Sequence, residues 1–212
     1  MTRSERTKEE ILSHVYAAET AAEQKQAYDA WASTYERDIM ASGIRLPFHA
    51  AATFIAHVRP GTGPILDAGC GTGMQSEALA LLGYGPLHGF DLSDGMLAVA
   101  RAKGLYETLV SATLGEPLPL PDGAYAATYC IGVLTPGHAP ANAIDELVRV
   151  TARDGLLVLS LRHDEGVSPY LATLEAHRAA GRIAHVFSTP EFVSIPISAP
   201  QVRHAIHVWR RT

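Results

Sequence analysis

One short segment constrains the fold of this chain more than any other. The sequence ILDAGCGTG occupies residues 65–73, after an apolar run and before the helical sequence MQSEALALL. Gly69, Gly71 and Gly73 let the backbone turn tightly and approach a ligand without a clash from a Cβ atom. In open α/β sheets, ligands bind at the carboxyl ends of the strands, where the strand order reverses. We therefore expect a strand, a glycine-rich turn and a helix that border a nucleotide crevice.

The acidic residue before these glycines narrows the choice of ligand. Asp67 is unfavourable beside a pyrophosphate, which prefers helix N–H groups and positive potential. Gly73 is followed by Met74, whereas a P-loop continues with Lys and then Ser or Thr. A ligand with a sulfonium and an amino group therefore matches Asp67 better than a phosphate does. The glycine pattern alone also fits NAD, FAD or no nucleotide at all.

A second acidic residue follows at the spacing typical of ribose binding. Asp91 lies in GFDLSDGML, residues 89–97, about 20 residues after the last glycine, where an acid accepts hydrogen bonds from the ribose hydroxyls. Ser93 is predicted to cap the next helix, and a carboxylate beside a helix N-terminus is electrostatically favourable. Met96, in the first turn of that helix, is placed to lie against an adenine ring.

The rest of the chain after residue 63 alternates short apolar runs with helical patterns, which indicates βαβ units and a parallel sheet. Gly83 and Gly104 are predicted to end two of the helices, and further helices are expected at residues 140–151 and 168–180. The predicted strands span residues 64–67, 87–90, 108–111, 124–131, 156–161 and 204–209. Residues 187–200 are interrupted by prolines, and we expect an antiparallel pair at the sheet edge there.

The first 60 residues are predicted to be helical. A capping-box spacing at Thr7 and Glu10 begins one helical pattern, and Pro47 begins another. Between them, Tyr28, Trp31 and Tyr35 recur at helical spacing, which is compatible with a core face or with a lid. We predict one structural domain overall, with a helical lid segment at residues 1–60 and a core at residues 61–212.

Composition and charge exclude several classes of function. The chain has 212 residues, 47% of them hydrophobic, which predicts a globular fold, and a net charge of -5, which disfavours general nucleic-acid binding. Its two cysteines and ten histidines show no metal-ligand spacing, so we expect neither a disulfide framework nor a metal site. The charged N-terminus is unlike a signal peptide, and no apolar stretch is long enough for a membrane span. We therefore expect a cytoplasmic protein.

The two acidic motifs together resemble a known family. LDAGCGTG followed by FDLSDGML is similar to the cofactor motifs of class I S-adenosylmethionine-dependent methyltransferases, and the resemblance continues through LPLPDGAYAATYC at residues 118–130. YDAWASTYERD at residues 28–38 and GVLTPGH at residues 132–138 most closely resemble the Williams-Beuren-region methyltransferase-like group. The resemblance covers about residues 25–165. It implies a Rossmann-like, doubly wound α/β fold with a mostly parallel seven-stranded sheet, an antiparallel edge strand and an N-terminal helical lid.

The resemblance also implies a role for individual residues toward the cofactor S-adenosyl-L-methionine and its product S-adenosyl-L-homocysteine. Asp67 and Gly69 are expected near the methionine amino group, Gly71 and Gly73 near the ribose, and Asp91 on the ribose hydroxyls. The other residues expected at the cofactor are Cys70 in the glycine turn, Leu92 and Met96 beside adenine, Cys130 and Ile131 beside the methionine moiety, and Tyr28, Trp31 and Tyr35 in the lid.

Two positions depart from the family pattern. The Asp that usually meets the adenine amino group is replaced by Thr113, whose hydroxyl or the nearby backbone at Leu114 is expected to take over this contact. The usual Phe-Asp pair before the fourth strand reads Tyr125-Ala126, which removes a structural carboxylate.

Candidate residues for the acceptor side come from the loops after the strands. His138 follows the fourth strand and is a candidate general base, or else a helix cap or a residue that only lines the site. His49 and Arg162 can also reach the acceptor side, or else are ordinary loop residues. Cys130 is interpreted as a small core residue rather than a nucleophile.

The function predicted on these grounds is methyl transfer from S-adenosylmethionine to an oxygen or nitrogen nucleophile of a small molecule. Three alternatives remain at this point. They are a protein that binds the cofactor without transferring a methyl group, an RNA or protein methyltransferase, and an NAD(P)-dependent oxidoreductase, against which Asp67 argues.

Overall fold

The structure, a computed structural model, describes residues 20–163 and 166–212. The helix predicted from Thr7 and Glu10 lies outside these residues. The described residues form seven helices: α1 (Ala21–Trp31), α2 (Tyr35–Ala41), α3 (Leu46–His57), α4 (Glu77–Leu81), α5 (Asp94–Lys103), α6 (Ala143–Val150) and α7 (Ser168–Ala179). They also form eight strands: β1 (Ile65–Ala68), β2 (Leu87–Asp91), β3 (Thr108–Ser111), β4 (Tyr125–Cys130), β5 (Thr151–Arg162), β6 (Ile183–Ser188), β7 (Phe192–Ile195) and β8 (Ala199–Arg211).

The strands form one mixed sheet in the order β3-β2-β1-β4-β5-β8-β6, with β7 paired to β8. The first five strands in sequence are parallel, and β8 runs antiparallel to β5, β6 and β7. The predicted α/β class, with a mostly parallel sheet and an antiparallel edge, is confirmed. The strand order reverses between β1 and β4, and ligands bind at such a reversal in open α/β sheets.

The centre of the sheet is buried on both faces, as β1 shows, because its side chains alternate between two cores. Leu66 packs in one core with Ile144 and Leu147 of α6, and Ile65 packs in the other with Phe54 of α3. Successive side chains of a strand point to opposite faces, so a four-residue apolar strand is stable here only if helices cover both faces. The result is a rigid three-layer support for the loops that follow β1, β2 and β4.

The antiparallel part of the sheet differs most from expectation. The sheet has eight described strands rather than seven, because residues 183–195 contain β6 and β7, where a proline-broken region was predicted. β5 begins at Thr151, inside the predicted helix at residues 140–151, and Asp154 has a φ of 63°. β8 is also longer than the predicted strand at residues 204–209, because it pairs with three neighbours and these pairs continue past both predicted ends.

The N-terminal helices also differ in detail from the predicted pattern. Trp31 ends α1 and Tyr35 begins α2, so the aromatic repeat is divided between two helices. Among the described residues, no single helix is long and apolar enough to span a membrane, and α2 and α3 meet the length and hydropathy criteria only as a pair bent by 94°. The predicted boundary at residue 60 between lid and core stays a prediction.

Candidate functional site

A crevice lies at the strand-order reversal, and we call it the glycine crevice. It is bordered by the glycine turn after β1, the end of β2, the loops after β3 and β4, and helix α1. Its lining residues are Gln24, Tyr28, Tyr35, Gly69, Cys70, Gly71, Thr72, Met74, Gln75, Phe90, Asp91, Leu92, Met96, Ala112, Thr113, Leu114, Ile131, Gly132, Val133, His138 and Ala139. Most of the residues predicted at the cofactor are therefore brought together here.

The glycine turn follows β1 in a conformation that disfavours other residues. Gly69 has a φ of 73°, and a Cβ there would lie 2.6 Å from Cγ2 of Val133. Gly71 has a φ of 55° and no atom within 4 Å of the position of a Cβ, which is open space on the crevice side. The absence of side chains at these two positions therefore leaves room for a ligand against the backbone.

Asp91 connects the end of β2 to the glycine turn. Its Oδ2 accepts a hydrogen bond from the backbone N–H of Gly71 over 2.9 Å, and its Oδ1 accepts one from Ser93, also over 2.9 Å. Burial raises the pKa of Asp91, while the backbone hydrogen bonds oppose this shift. Ser93 Oγ accepts from the backbone N–H of Met96, so the predicted helix cap at Ser93 is confirmed.

Asp67 lies behind the crevice wall rather than in it. Its Oδ2 accepts hydrogen bonds from Ser76 Oγ over 2.6 Å and from the Tyr106 hydroxyl over 2.7 Å, and the residue is 1% exposed. Burial raises the pKa of this carboxyl to about 6. Its Oδ2 thus supports the glycine turn from behind, through Ser76 and Tyr106, whereas its Oδ1 is buried without a hydrogen-bond partner in the described residues, so the predicted contact of Asp67 with the methionine amino group stays a prediction.

Three other predicted cofactor residues also lie outside the lining. Gly73 faces the ring of Tyr106, which is 3.0 Å from the position of a Cβ. Cys130 is fully buried in the core, so the prediction that it faces the sulfonium is corrected in favour of the core interpretation. Trp31 is 3% exposed and donates from Nε1 to Asp38 Oδ2 over 3.1 Å, away from the crevice.

Two buried polar atoms in the lining have no protein partner, and sequence reasoning did not single out either residue. They are Thr72 Oγ1 and Gln75 Oε1. Gln75 Nε2 donates to the carbonyl of Ile131 over 3.2 Å, which orients its Oε1 as an acceptor. A buried acceptor without a donor is unfavourable until a ligand supplies one, so this position fits the ammonium group of the predicted cofactor.

Helix α1 lies over the crevice and is attached to the core at several points. Asp29 Oδ1 accepts from Ser93 Oγ over 2.6 Å and from the backbone N–H of Gly95 over 2.8 Å, so it caps α5 from another helix. Gln24 Nε2 donates to the carbonyl of Gly137 over 2.9 Å. A Cβ at Gly95 would lie 2.9 Å from Cα of Asp29, which shows how closely the two helices approach. α1 therefore covers the crevice, and its role as a lid stays a prediction.

The wall opposite the glycine turn is formed by the residues predicted beside adenine. Leu92, Met96, Thr113 and Leu114 all line the crevice, and Met96 is 1% exposed. Thr113 thus lies where the family usually has an acid. Cys70 also lines the crevice, and burial raises the pKa of its thiol, which disfavours a reactive thiolate.

His138 lies where the glycine crevice meets a second cavity. Its Nε2 is 2.9 Å from the Tyr28 hydroxyl and its Nδ1 is 3.2 Å from Thr135 Oγ1. Burial lowers the pKa of His138, and the positive charge of Arg162 contributes to the same shift. The imidazole is therefore neutral near pH 7 and is able to accept a proton.

The second cavity, which we call the side cavity, has a volume of about 300 Å³. It shares Tyr28, Tyr35, Met74, Gln75, Gly132 and His138 with the glycine crevice. Its other lining residues are Trp31, Asp38, Ile39, Ser42, Ile44, Leu46, Pro47, Thr135, Arg162, Ile195, Ser198, Ala199, Val202 and His204. The residues from β7 and β8 were not singled out from the sequence, because the strands expected in this region did not indicate which side chains face the cavity.

The two remaining residues predicted on the acceptor side, Arg162 and His49, lie in different places in the structure. Arg162 lines the side cavity. His49 is exposed and stacks on Phe192, with ring centroids 3.7 Å apart, and it lines neither cavity, so its predicted role at the acceptor is corrected. Within residues 20–163 and 166–212, no group of three or more His, Cys, Asp or Glu side chains is placed to hold a metal ion.

Comparisons with known proteins agree with this geometry. Residues 66–159 match a family model described as a methyltransferase domain. The chain is 39% identical over 174 residues to human methyltransferase-like protein 27, which covers 79% of this chain and 70% of that protein. It is 31% identical over 103 residues to the ubiquinone biosynthesis O-methyltransferase of Pseudomonas paraeruginosa, which covers 45% of this chain and 43% of that protein.

Solved structures show the same fold at low sequence identity. The cyclase SpnF superposes with a TM-score of 0.69 at 18% identity, over 92% of this chain and 97% of that one. Geranyl diphosphate C-methyltransferase from Streptomyces coelicolor, crystallised with S-adenosyl-L-homocysteine, superposes with a TM-score of 0.62 at 16% identity, over 85% of each chain. A cyclase and a methyltransferase share this architecture, so the acceptor has to be argued from the site.

Proposed function

This chain belongs to the class I S-adenosylmethionine-dependent methyltransferases, and from that premise we propose that it methylates an oxygen or nitrogen atom of a small molecule. The single observation that carries the proposal is the side cavity, which opens from the glycine crevice at His138. Its wall comes from α1, α2, the loops after α2 and β4, the end of β5 and the β7–β8 hairpin. Protein on so many sides favours a small acceptor over an extended peptide or nucleic acid.

The donor supplies an electrophilic methyl group, so the protein has to position the acceptor, exclude water and remove a proton where the acceptor carries one. α1 excludes water by covering the crevice, and its attachments to Gly95 and Gly137 hold it there. Gln75 Oε1 is an acceptor for the donor's ammonium group, and Asp91 is held by two backbone N–H groups at the end of β2, beside the glycine turn.

His138 is the residue that we assign as the general base. It lines both cavities, and its neutral form at pH 7 has a ring nitrogen that can take the acceptor's proton while the acceptor's lone pair forms the new bond to carbon. The Tyr28 hydroxyl at 2.9 Å orients the ring and is the nearest group of the lid to it. Because its pKa lies below the usual value for histidine, the base is in its active form throughout the neutral range.

The test begins with a panel of small phenols, amines and carboxylic acids incubated with S-adenosylmethionine carrying a radioactive methyl group. With an acceptor found, we expect His138→Gln to lower kcat by about a hundredfold, the effect typical of losing a general base. We expect the affinity for S-adenosylhomocysteine, measured by calorimetry, to change less than about threefold, below 1 kcal/mol. His185→Gln is the matched control, since His185 is an exposed histidine on β6 that lines neither cavity.

Two results contradict parts of this proposal. An unchanged kcat in His138→Gln would show that His138 is not the general base. Cofactor binding without methyl transfer to any member of the panel would favour a protein that binds the cofactor without catalysing methyl transfer. The hypothesis of a cofactor-binding protein without methyl transfer is based on Thr113, which replaces the family's usual acid in the crevice wall. Transfer to RNA or to a protein, tested in the same assay, would replace the small-molecule acceptor.

A further inference from the structure

One side of helix α3 is apolar and exposed. Phe48 is 62% exposed, and Ala52 and Ile55 are exposed as well. Residues four and three positions apart lie on the same side of a helix, so these three side chains form one stripe about 10 Å long. The opposite side of α3 packs against the sheet through Ala50 and Phe54, so the stripe faces away from the core.

The β7–β8 hairpin and the strand β6 extend this stripe at its two ends. Ile197 is 72% exposed and lies against the turn before α3, where a Cβ at Gly43 would be 2.8 Å from its Cγ1. At the other end, the exposed ring of Phe187 lies beside His57, with ring centroids 4.9 Å apart. We call the surface formed by these exposed side chains the apolar face: Phe48, Ala52, Ile55, Phe187 and Ile197.

Positive charge accompanies the apolar face, although the chain is acidic overall. Residues 39–66 contain α3 and hold no Asp or Glu, whereas Arg45 comes one residue before this helix and Arg59 two residues after it, both exposed. With 22 Asp and Glu residues among 212, a stretch of 28 residues would hold about three at the average frequency. Residues 183–212, which contain β6, β7 and β8, hold three arginines and one acid, Glu191. The two segments that build the apolar face are therefore both basic.

Three acidic residues lie within or directly beside these two segments in sequence, and each of them is buried or paired. Asp38 of α2 is 8% exposed and accepts hydrogen bonds from three side chains. Asp67 is buried behind the glycine turn. Glu191 lies before β7, and its Oε2 is 3.4 Å from Nε of Arg203. A negatively charged partner therefore meets little opposing charge at the apolar face.

We propose that the apolar face binds the surface of an anionic lipid bilayer, with Arg45 and Arg59 beside the lipid headgroups. Exposed apolar side chains next to basic residues bind such an interface without spanning it, because the burial of the first and the charge of the second both contribute. A second copy of the chain fits this face less well, since a symmetric dimer would place the arginines of one copy near those of the other. This inference goes beyond the proposed function and does not rest on it.

The apolar face adjoins the side cavity. Leu46 and Pro47, at the start of α3, line this cavity, and so do Ile195 and Ala199, which lie two residues before and after Ile197. Bound to a bilayer through the apolar face, the protein would hold the side cavity close to the lipid, where apolar molecules accumulate.

The experiment measures how the full chain partitions onto sedimenting vesicles, made either of phosphatidylcholine alone or with about one third phosphatidylserine. In about 0.1 M salt, we expect the partition coefficient to be at least about tenfold higher for the anionic vesicles, because each arginine is attracted to the negative surface. Raising the salt to about 0.5 M should remove most of this difference, because the charges are then screened over shorter distances.

Variants then assign the binding to the apolar face. We expect Phe48→Ser to lower the partition coefficient onto anionic vesicles about tenfold, and the double variant Arg45→Gln, Arg59→Gln to remove most of the preference for anionic lipid. The matched control is the double variant Leu171→Ser, Arg178→Gln. Both of these residues are exposed on α7, which packs on the other face of the sheet from α3, so this variant should bind as wild type does. Circular dichroism checks that each variant folds.

Three results overturn the inference: no sedimentation with the anionic vesicles, equal binding to both kinds of vesicle, or unchanged binding in Phe48→Ser. A fourth is self-association in place of vesicle binding. If analytical ultracentrifugation shows a dimer that Phe48→Ser abolishes, the apolar face binds a second copy of the chain instead. The vesicle assay contains no cofactor, so its failure leaves the proposed function intact, and failure to bind S-adenosylhomocysteine leaves this inference intact.

Discussion

The glycine crevice and the side cavity share a wall but are built in different ways. The crevice is shaped by backbone: Gly69 and Gly71 of the glycine turn have positive φ, and the carboxylate of Asp91 accepts hydrogen bonds from two backbone N–H groups. The side cavity is shaped by side chains from segments that are far apart in sequence, with Trp31 at one end of the chain and Val202 near the other.

This difference explains why one region is conspicuous in a sequence and the other is not. A ligand held against the backbone requires particular residues at consecutive positions, because only glycine combines positive φ with the lack of a Cβ. A cavity lined by side chains accepts many combinations of apolar residues, since packing constrains volume more than identity. The binding motif for the methyl donor can therefore be identified from nine consecutive residues, whereas the residues that line the side cavity can be identified only from the folded structure.

The largest effect is expected from a substitution that adds a methyl group to the glycine turn and so tests whether backbone shapes the crevice. In Gly69→Ala, the new Cβ would be 2.6 Å from Cγ2 of Val133, and the φ of 73° adds strain. We expect the affinity for S-adenosylhomocysteine to fall about a thousandfold, about 4 kcal/mol, from overpacking and left-handed strain together. Calorimetry measures the affinity, and circular dichroism checks that the variant folds.

The variant Gly83→Ala distinguishes the effect of backbone strain at positive φ from the effect of a steric clash of the added Cβ. Gly83 has a φ of 77° but no atom within 4 Å of the position of a Cβ. We expect this variant to lose about 1 kcal/mol of stability and to bind the ligand as wild type does. If Gly69→Ala binds S-adenosylhomocysteine as tightly as Gly83→Ala and wild type do, the turn tolerates a Cβ and the crevice is not shaped by backbone.

The second test compares how each half of the sheet responds to pH. Burial raises the pKa of Asp67, behind β1, to about 6, so the folded state binds the extra proton and stability falls as pH rises from 3.8 to 6. Burial lowers the pKa of His207 on β8 to about 4, with help from His163 and His185, so stability falls as pH drops from 6.5 to 4. The two groups therefore act in opposite directions over nearly the same range.

Replacing either Asp67 or His207 should leave only the other group's contribution to the pH dependence of stability. From pH 4 to pH 6.5, we expect the unfolding free energy of Asp67→Asn to rise relative to wild type by up to about 3 kcal/mol, and that of His207→Gln to fall by a similar amount. Urea unfolding at several pH values measures both. Parallel curves for wild type and either variant would show that the group concerned titrates alike in the folded and unfolded states.

The smallest expected effect concerns the predicted lid, helix α1. This helix contributes residues to both cavities, and it is hydrogen-bonded to α5 beside the glycine crevice. Asp29→Ala removes the acceptor for Ser93 Oγ and for the Gly95 N–H. We expect S-adenosylhomocysteine to dissociate about fivefold faster, corresponding to about 1 kcal/mol for a lost cap, as measured by stopped-flow fluorescence. Glu175→Ala is the control: its exposed carboxylate on α7 pairs with Arg178 of the same helix and lines neither cavity, so this variant should leave the rate unchanged.

Sequence and structure agree most where the constraint is local. The strand at residues 108–111 was predicted with the bounds that the structure shows, and Ser93 caps α5 as expected. The partners of Asp67 could not be predicted, because Ser76 and Tyr106 come from different elements and only the folded chain shows that both donate to its Oδ2. The antiparallel edge was predicted, but the bounds of β6 and β7 were not, because in the described residues these strands pair with β8, more than ten residues away for most of their length.

The β7–β8 hairpin has a consequence for how this protein diverges from its relatives. Ile195, Ala199 and Val202 line the side cavity but not the glycine crevice, so changes of size in this hairpin alter the lining of one cavity and not that of the other. Evolution, or a protein engineer, can therefore exchange the hairpin to change which molecule is modified, while the source of the methyl group stays the same.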